Sequence, residues 1–215
     1  MDLIVALIAI VGGIVAIVAL EIVLDYAWFL VQRAWTHKEA GRYHKALADF
    51  DRAVKLKPKY KWAIAGRGQL HRLRERHDEA LLDLNRALEL DPNCSWSLAH
   101  RGETYRQMGL YEQALADFNR SIELDLTNKW AIANRGQLQR LTGHYDEALL
   151  DFNRALELDP NCPWCLANRG ETYSQMEQYE RALPDFSRAI KVDPNYQWAI
   201  ASRGKTYLLD ISEKW

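Results

Sequence analysis

Residues 145–160 read YDEALLDFNRALELDP, and four other stretches vary the same word: YHKALADFDRAVKLKP at 43–58, HDEALLDLNRALELDP at 77–92, YEQALADFNRSIELDL at 111–126 and YERALPDFSRAIKVDP at 179–194. Each begins 34 residues after the one before it. A fixed period of this size marks a chain that stacks one supersecondary unit on the next. Inside each word a small residue, a large apolar residue and a second small residue recur at helical spacing: Ala46, Phe50, Ala53; Ala80, Leu84, Ala87; Ala114, Phe118, Ser121; Ala148, Phe152, Ala155; Ala182, Phe186, Ala189. That spacing puts the three on one face of a helix. Pro58, Pro92, Pro160 and Pro194 stop the helix, because proline cannot continue the ladder, and Leu126 stands at that place in the third unit.

The other half of each unit carries a mid-helix glycine at Gly68, Gly102, Gly136, Gly170 and Gly204, with Ala34 in its place in the first unit. Glycine, alanine, aromatic, alanine and proline in this order resemble the tetratricopeptide repeat family over residues 27 to about 209. The resemblance implies an all-α chain, a right-handed superhelical solenoid of about five helix pairs with a terminal helix, that presents a groove to a protein or peptide. Repeats are placed at 27–60, 61–94, 95–128, 129–162 and 163–196, a final helix at 197–209 and a tail at 210–215. A longer period is superimposed, since 61–128 matches 129–196 more closely than adjacent units match: compare WAIAGRGQLHRL with WAIANRGQLQRL. Duplication of a two-repeat unit makes the surfaces of alternate repeats nearly equivalent.

Ahead of the repeats, no charged or strongly polar side chain occurs from Leu3 to Leu20, and after Glu21 the apolar run resumes to Leu24. Roughly 22 residues at about 1.5 Å each cross a hydrocarbon core about 30 Å thick, so residues 1–26 are expected to be a transmembrane anchor with residues 3–24 in the bilayer. A signal peptide would need a basic start, and Asp2 is the only residue between Met1 and the run. Tyr26, Trp28 and Phe29 suit the membrane interface, and Arg33, Lys38, Arg42 and Lys45 after them place the short N-terminus outside and the repeats in the cytoplasm. Ala6, Ala9, Gly13 and Ala16 line one face of the span, where a second helix could approach closely. With no Gly, Pro or Ser between Glu21 and Glu39, span and first repeat helix are expected to run on as one rod.

Lys and Arg number 28 against 29 Asp and Glu, so no global field recruits nucleic acid. Three cysteines do not suggest a disulfide framework, and a reducing compartment is the simpler expectation. Cys162-Pro163-Trp164-Cys165 spells CxxC, but no second pair completes a tetrahedral site and the sister unit reads Cys94-Ser95-Trp96-Ser97. The six histidines show no HExxH spacing. No catalytic, cofactor or metal site is expected.

Three ladders remain. Trp28, Trp62, Trp96, Trp130, Trp164 and Trp198 occupy the second position of each first helix. The resemblance places them on the groove, where they would grip a partner; packing between successive repeats is the competing role, and the favoured one. Arg33, Arg67, Arg101, Arg135, Arg169 and Arg203 precede the repeat glycine, or Ala34 in the first repeat, and Asp49, Asp83, Asp117, Asp151 and Asp185 recur at a fixed place on the second helix, so an Arg–Asp ladder is expected to hold the helices in register. The resemblance also assigns to the groove Gln69, Glu103, Gln137 and Glu171, followed one turn on by Arg72, Arg106, Arg140 and Ser174. This mixed row suits a peptide of alternating charge, whereas Ala65, Ala99, Ala133 and Ala167 depart from the set with which family members clamp a chaperone's C-terminal carboxylate.

The leading expectation is a membrane-anchored scaffold for a cytoplasmic partner. The alternative is a self-assembling structural protein that homo-oligomerises through the apolar N-terminal helix and an uncapped end, where Tyr207, Leu208, Leu209, Ile211 and Trp215 continue the apolar pattern. A pore of clustered spans would need a polar stripe, which Leu3 to Leu20 lacks.

Overall fold

A small residue every turn on two successive helices lets their backbones approach closely, and that closeness organises each repeat. The computed structural model describes residues 25–213, in which eleven α-helices and no strand occur. They are α1 (25–39), α2 (Tyr43–Leu56), α3 (Lys61–Leu73), α4 (His77–Leu90), α5 (Ser95–Gln107), α6 (Tyr111–Leu124), α7 (Lys129–Leu141), α8 (Tyr145–Leu158), α9 (Pro163–Gln175), α10 (Tyr179–Val192) and α11 (Gln197–Glu213). The chain divides into two units, one ending at Pro92 and one beginning at Asn93.

Odd and even helices pair within a repeat. A Cβ added at Gly68, Gly102, Gly136 or Gly170 would stand 3.2–3.3 Å from the carbonyl oxygen of Ala80, Ala114, Ala148 or Ala182 on the second helix. The aromatic one turn beyond that alanine closes the pair: Phe50, Phe118, Phe152 and Phe186 are fully buried, as is Leu84. Each contributes about 1.5–3 kcal/mol by leaving water. In the second unit the first helices α5, α7, α9 and α11 approach one another, whereas α6, α8 and α10 approach only first helices. The first helices therefore form the inner layer of that unit.

A positive φ recurs with the repeat at Gly41, Glu75, Gly109, Gly143 and Glu177, between the two helices of each pair. The following N–H reaches back five residues, as in His144 N to Gln139 O at 2.8 Å and Gln178 N to Tyr173 O at 2.9 Å. This is the left-handed helix stop for which glycine is the natural residue, and two of the five places carry glutamate instead.

Among the described residues no helix is long and apolar enough to cross a membrane. The expected span at 3–24, its face of Ala6, Ala9, Gly13 and Ala16, and its continuity with α1 lie outside the described residues, as does Trp215. At the start of α1, Tyr26, Trp28 and Phe29 are exposed at 47%, 57% and 49%.

Candidate functional site

The arginines ahead of the repeat glycine are structural. Arg33, Arg67, Arg101, Arg135 and Arg169 each grip one aspartate with two nitrogens, Nε and Nη2, at 2.6–2.7 Å: Asp49, Asp83, Asp117, Asp151 and Asp185. The aspartates are almost fully buried, and the bidentate bonds hold Arg33, Arg67, Arg101 and Arg169 above the ordinary guanidinium range. The third nitrogen turns to the preceding repeat, where Arg67 Nη1 donates to Asp51 at 2.9 Å and Arg135 and Arg169 donate to Asn119 and Asn153 at 2.8 Å. A second arginine ladder was not legible in the sequence: Arg86, Arg154 and Arg188 donate to the carbonyls of Pro58, Leu126 and Pro160 in the previous inter-repeat turn.

The tryptophans pack between repeats and remain partly open. Trp62, Trp130 and Trp198 are 41%, 37% and 37% exposed, while Trp96 and Trp164 are half-buried. Trp130 lies 4.5 Å from the buried His100 of the preceding first helix, which in turn lies 4.0 Å from Trp96. Trp164 packs edge-on to Phe152 at 6.5 Å. His100, Asn134 and Asn168 occupy the sixth position of their repeats and are buried. Asn134 and Asn168 donate to the carbonyls of Trp130 and Trp164, which ties the tryptophan backbone to the next turn. In α3 that position is Gly66, because Trp35 and Phe50 fill the space: a Cβ there would meet Phe50 at 2.5 Å and Trp35 at 3.0 Å.

Along the polar row the side chains divide by what already satisfies them. Glu103 is buried, and its carboxylate takes Arg106 Nε at 2.7 Å, Arg106 Nη2 at 2.8 Å and Gln107 Nε2 at 2.8 Å, so it is held by its own helix. That hydrogen bonding keeps Arg106 above its ordinary range. In the first unit Gln69 and Arg72 are buried, and Lys38 donates to Gln69 at 3.3 Å. Burial lowers Lys38, opposed by Glu39 and aided by Arg72. Gln137 and Glu171 are half-buried, and Ser174 shares a hydrogen bond with Thr206 at 3.0 Å.

Arg140 is held differently from Arg106, whose Nε is bonded to Glu103. Its Nη1 reaches Gln175 at 3.4 Å, but its Nε is buried with no hydrogen-bond partner among the described residues. Burial lowers its basicity, the neighbouring Arg106 adds to the fall, and Glu171 and Tyr145 oppose it. A buried N–H left unpaired costs roughly 1–3 kcal/mol.

Two features lie off this row. A cavity of about 310 Å³ opens among α6, α7 and α8, lined by Tyr111, Glu112, Leu115, Gln139, His144 and Glu147. Gln139 stands where the adjacent repeats carry Tyr105 and Tyr173. The cysteine count argues against a disulfide framework, and one local bond joins Cys162 and Cys165, whose Cα atoms are 5.3 Å apart. The first is the N-cap of α9 and the second lies three residues on, one turn away on the same side. Cys94 is free and buried. No group of three or more His, Cys, Asp or Glu able to hold a metal ion occurs among the described residues.

Helix pairs at constant period, closed by glycine against alanine and carrying a polar row on the first helix, define a helical-repeat module. Tetratricopeptide repeat models match residues 31–93, 97–128, 130–162 and 163–196, together well over half of the chain, and the protein belongs to the tetratricopeptide repeat family. No curated protein matches the sequence significantly. Among solved structures it is similar to YrrB, described as a TPR protein with an unusual peptide-binding site, at 25% identity over 81% of this chain and 90% of YrrB, TM-score 0.61. TTC0263, a thermophilic TPR protein of Thermus thermophilus, matches at 21% identity over 85% of this chain and 99% of its own, TM-score 0.73. PilW, described as a widely conserved type IV pilus biogenesis factor, matches at 19% over 83% and 91%, TM-score 0.70. The last two likenesses concern the fold.

Proposed function

We propose that the protein is a membrane-anchored scaffold whose repeats hold an extended segment of a cytoplasmic protein partner along the inner helices α5, α7 and α9. The observation that carries this reading is Arg140, a cation in the polar row with a buried, unpartnered Nε, at the far end of the helix that begins with the partly exposed Trp130. An acidic side chain of the partner pairs with the Arg140 guanidinium, and Trp130, about 15 Å away along α7, gives apolar contact to another part of the same segment. Glu171 and Gln137 set the neighbouring positions. The peptide-binding site named for YrrB supports the class of ligand. The anchor rests on the uncharged run from Leu3 to Leu20 and on the exposed Tyr26, Trp28 and Phe29 that follow it.

The test is a peptide-array screen with full-length protein in lipid nanodiscs. Peptides with an acidic residue about four or five positions from an apolar one should be retained. Arg140→Ala should weaken retention about tenfold, equivalent to about 1.4 kcal/mol, while its far-UV circular dichroism shows the repeats still folded. Equal retention by both proteins would remove the basis of the reading.

Self-association is the second reading, motivated by α11, where Ile200, Tyr207, Leu208 and Ile211 are 37%, 56%, 69% and 39% exposed. A second copy covering that face would give a defined particle mass in detergent that falls on its disruption by Leu208→Glu.

A further inference from the structure

Sister repeats place sulfur at the same helix start. In α5 the N-cap is Cys94, and Ser97 three residues on donates its hydroxyl to Cys94 Sγ at 3.2 Å. In α9 the N-cap is Cys162, and Cys165 three residues on is bonded to it. The backbone thus brings the same two side chains into contact in both repeats, and the 5.3 Å between the Cα atoms of Cys162 and Cys165 is within the span a disulfide bridges. Pro163 at the first helical position carries no N–H, while the Cys165 N–H donates to Cys162 Sγ at 3.1 Å. In the dithiol form that N–H, with the aligned peptide dipoles at the start of α9, favours negative charge on the Cys162 sulfur. Cys162 is half-buried, whereas Cys165 is 5% exposed.

We propose that Cys162 and Cys165 form a reversible dithiol–disulfide centre that exchanges with an external dithiol, Cys162 being the sulfur attacked. A thiolate of the external dithiol bonds to Cys162 Sγ, and the Cys162–Cys165 bond breaks with its electron pair on Cys165 Sγ, which takes a proton. The second thiolate of the external dithiol then attacks its own sulfur in this mixed disulfide and expels Cys162 as a thiolate at the helix start. Two electrons pass to the protein, and the external dithiol leaves as a disulfide. Trp164 lies between the two cysteines and packs on Phe152, so the state of the bond acts on a tryptophan of the candidate groove.

The experiment equilibrates the native full-length protein at a series of ratios of dithiothreitol to its oxidised form, quenches in acid, alkylates in denaturant and counts thiols by mass. With three cysteines in the chain, one thiol is expected at the oxidising end and three at the reducing end, joined by a single two-electron transition. Cys165→Ser copies the Cys94–Ser97 arrangement already present in α5 and should take up one glutathione, on Cys162, from oxidised glutathione. Cys162→Ser should leave Cys165 about tenfold slower to react, because it is buried. Three thiols at every ratio would show that no bond forms. One thiol at every ratio would make the bond a fixed staple, and equal reactivity of the two variants would refute Cys162 as the attacked sulfur; any of these overturns the proposal.

Discussion

Replacing Gly136 and Gly204 by alanine, one at a time, makes the same chemical change at the same place in the repeat. An interior helical glycine gives up roughly 0.5–1 kcal/mol relative to alanine. At Gly204 nothing lies within 4 Å of the added Cβ, so that amount is gained and α11 is stabilised. At Gly136 the Cβ arrives 3.1 Å from Asp151 Cβ, 3.2 Å from Phe152 Cε1 and 3.3 Å from the Ala148 carbonyl oxygen. The carbonyl is backbone and Phe152 is fully buried, so neither swings away and α7 must lift off α8 by a few tenths of an ångström. Overpacking of this kind costs about 1–3 kcal/mol. The lift also strains the 2.7 Å bonds from Arg135 to Asp151. Gly136→Ala is therefore destabilising by about 0.5–2 kcal/mol net, opposite in sign to Gly204→Ala. Urea denaturation followed by circular dichroism gives the two signs, and amide hydrogen exchange locates each effect in its own repeat. Midpoint shifts of equal sign and size would refute the claim that glycine is there because the helices touch.

Glu177→Gly relieves a left-handed residue at φ 61° and should stabilise the turn before α10 by up to about 1 kcal/mol, read as a higher urea midpoint; an unchanged or lower midpoint would show the glutamate to be unstrained. Arg135→Leu strands the 4% exposed Asp151 and should cost about 3 kcal/mol, most of it recovered in the Arg135→Leu, Asp151→Leu double variant; a loss under about 1 kcal/mol would deny the pair its role in holding the helices in register.

The helix pairs were legible because each packing residue is a consequence of spacing. Ala148 and Phe152 lie one turn apart on α8 and face Gly136, and the same relation recurs in each repeat that carries the glycine and is followed by a second helix. The Arg–Asp ladder was legible for the same reason, since a constant separation of 16 residues fixes both partners. Backbone partners leave no such trace, so the bonds from Arg86, Arg154 and Arg188 to turn carbonyls could not be read. Nor could the left-handed turns at Glu75 and Glu177, although the glycines at 41, 109 and 143 carried the signal. The cysteine bond was missed because counting cysteines tests for a framework, while this pair needs only an N-cap and the residue one turn on. In the polar row, side-chain type gave no warning that Glu103 is held within α5 or that the buried His100 stands between two tryptophans.

The third nitrogen of Arg135 and Arg169 has a further consequence. In a one-dimensional array each module has an intrinsic stability and a coupling to its neighbour, and their ratio decides whether the whole melts together or peels from an end. Because one guanidinium joins both helices of its own repeat and the second helix of the repeat before, the bond that completes a module also fastens it to its predecessor. Fraying of either repeat breaks that same bond, so the coupling acts equally in both directions and the intrinsic stability of each end decides from which side the array opens.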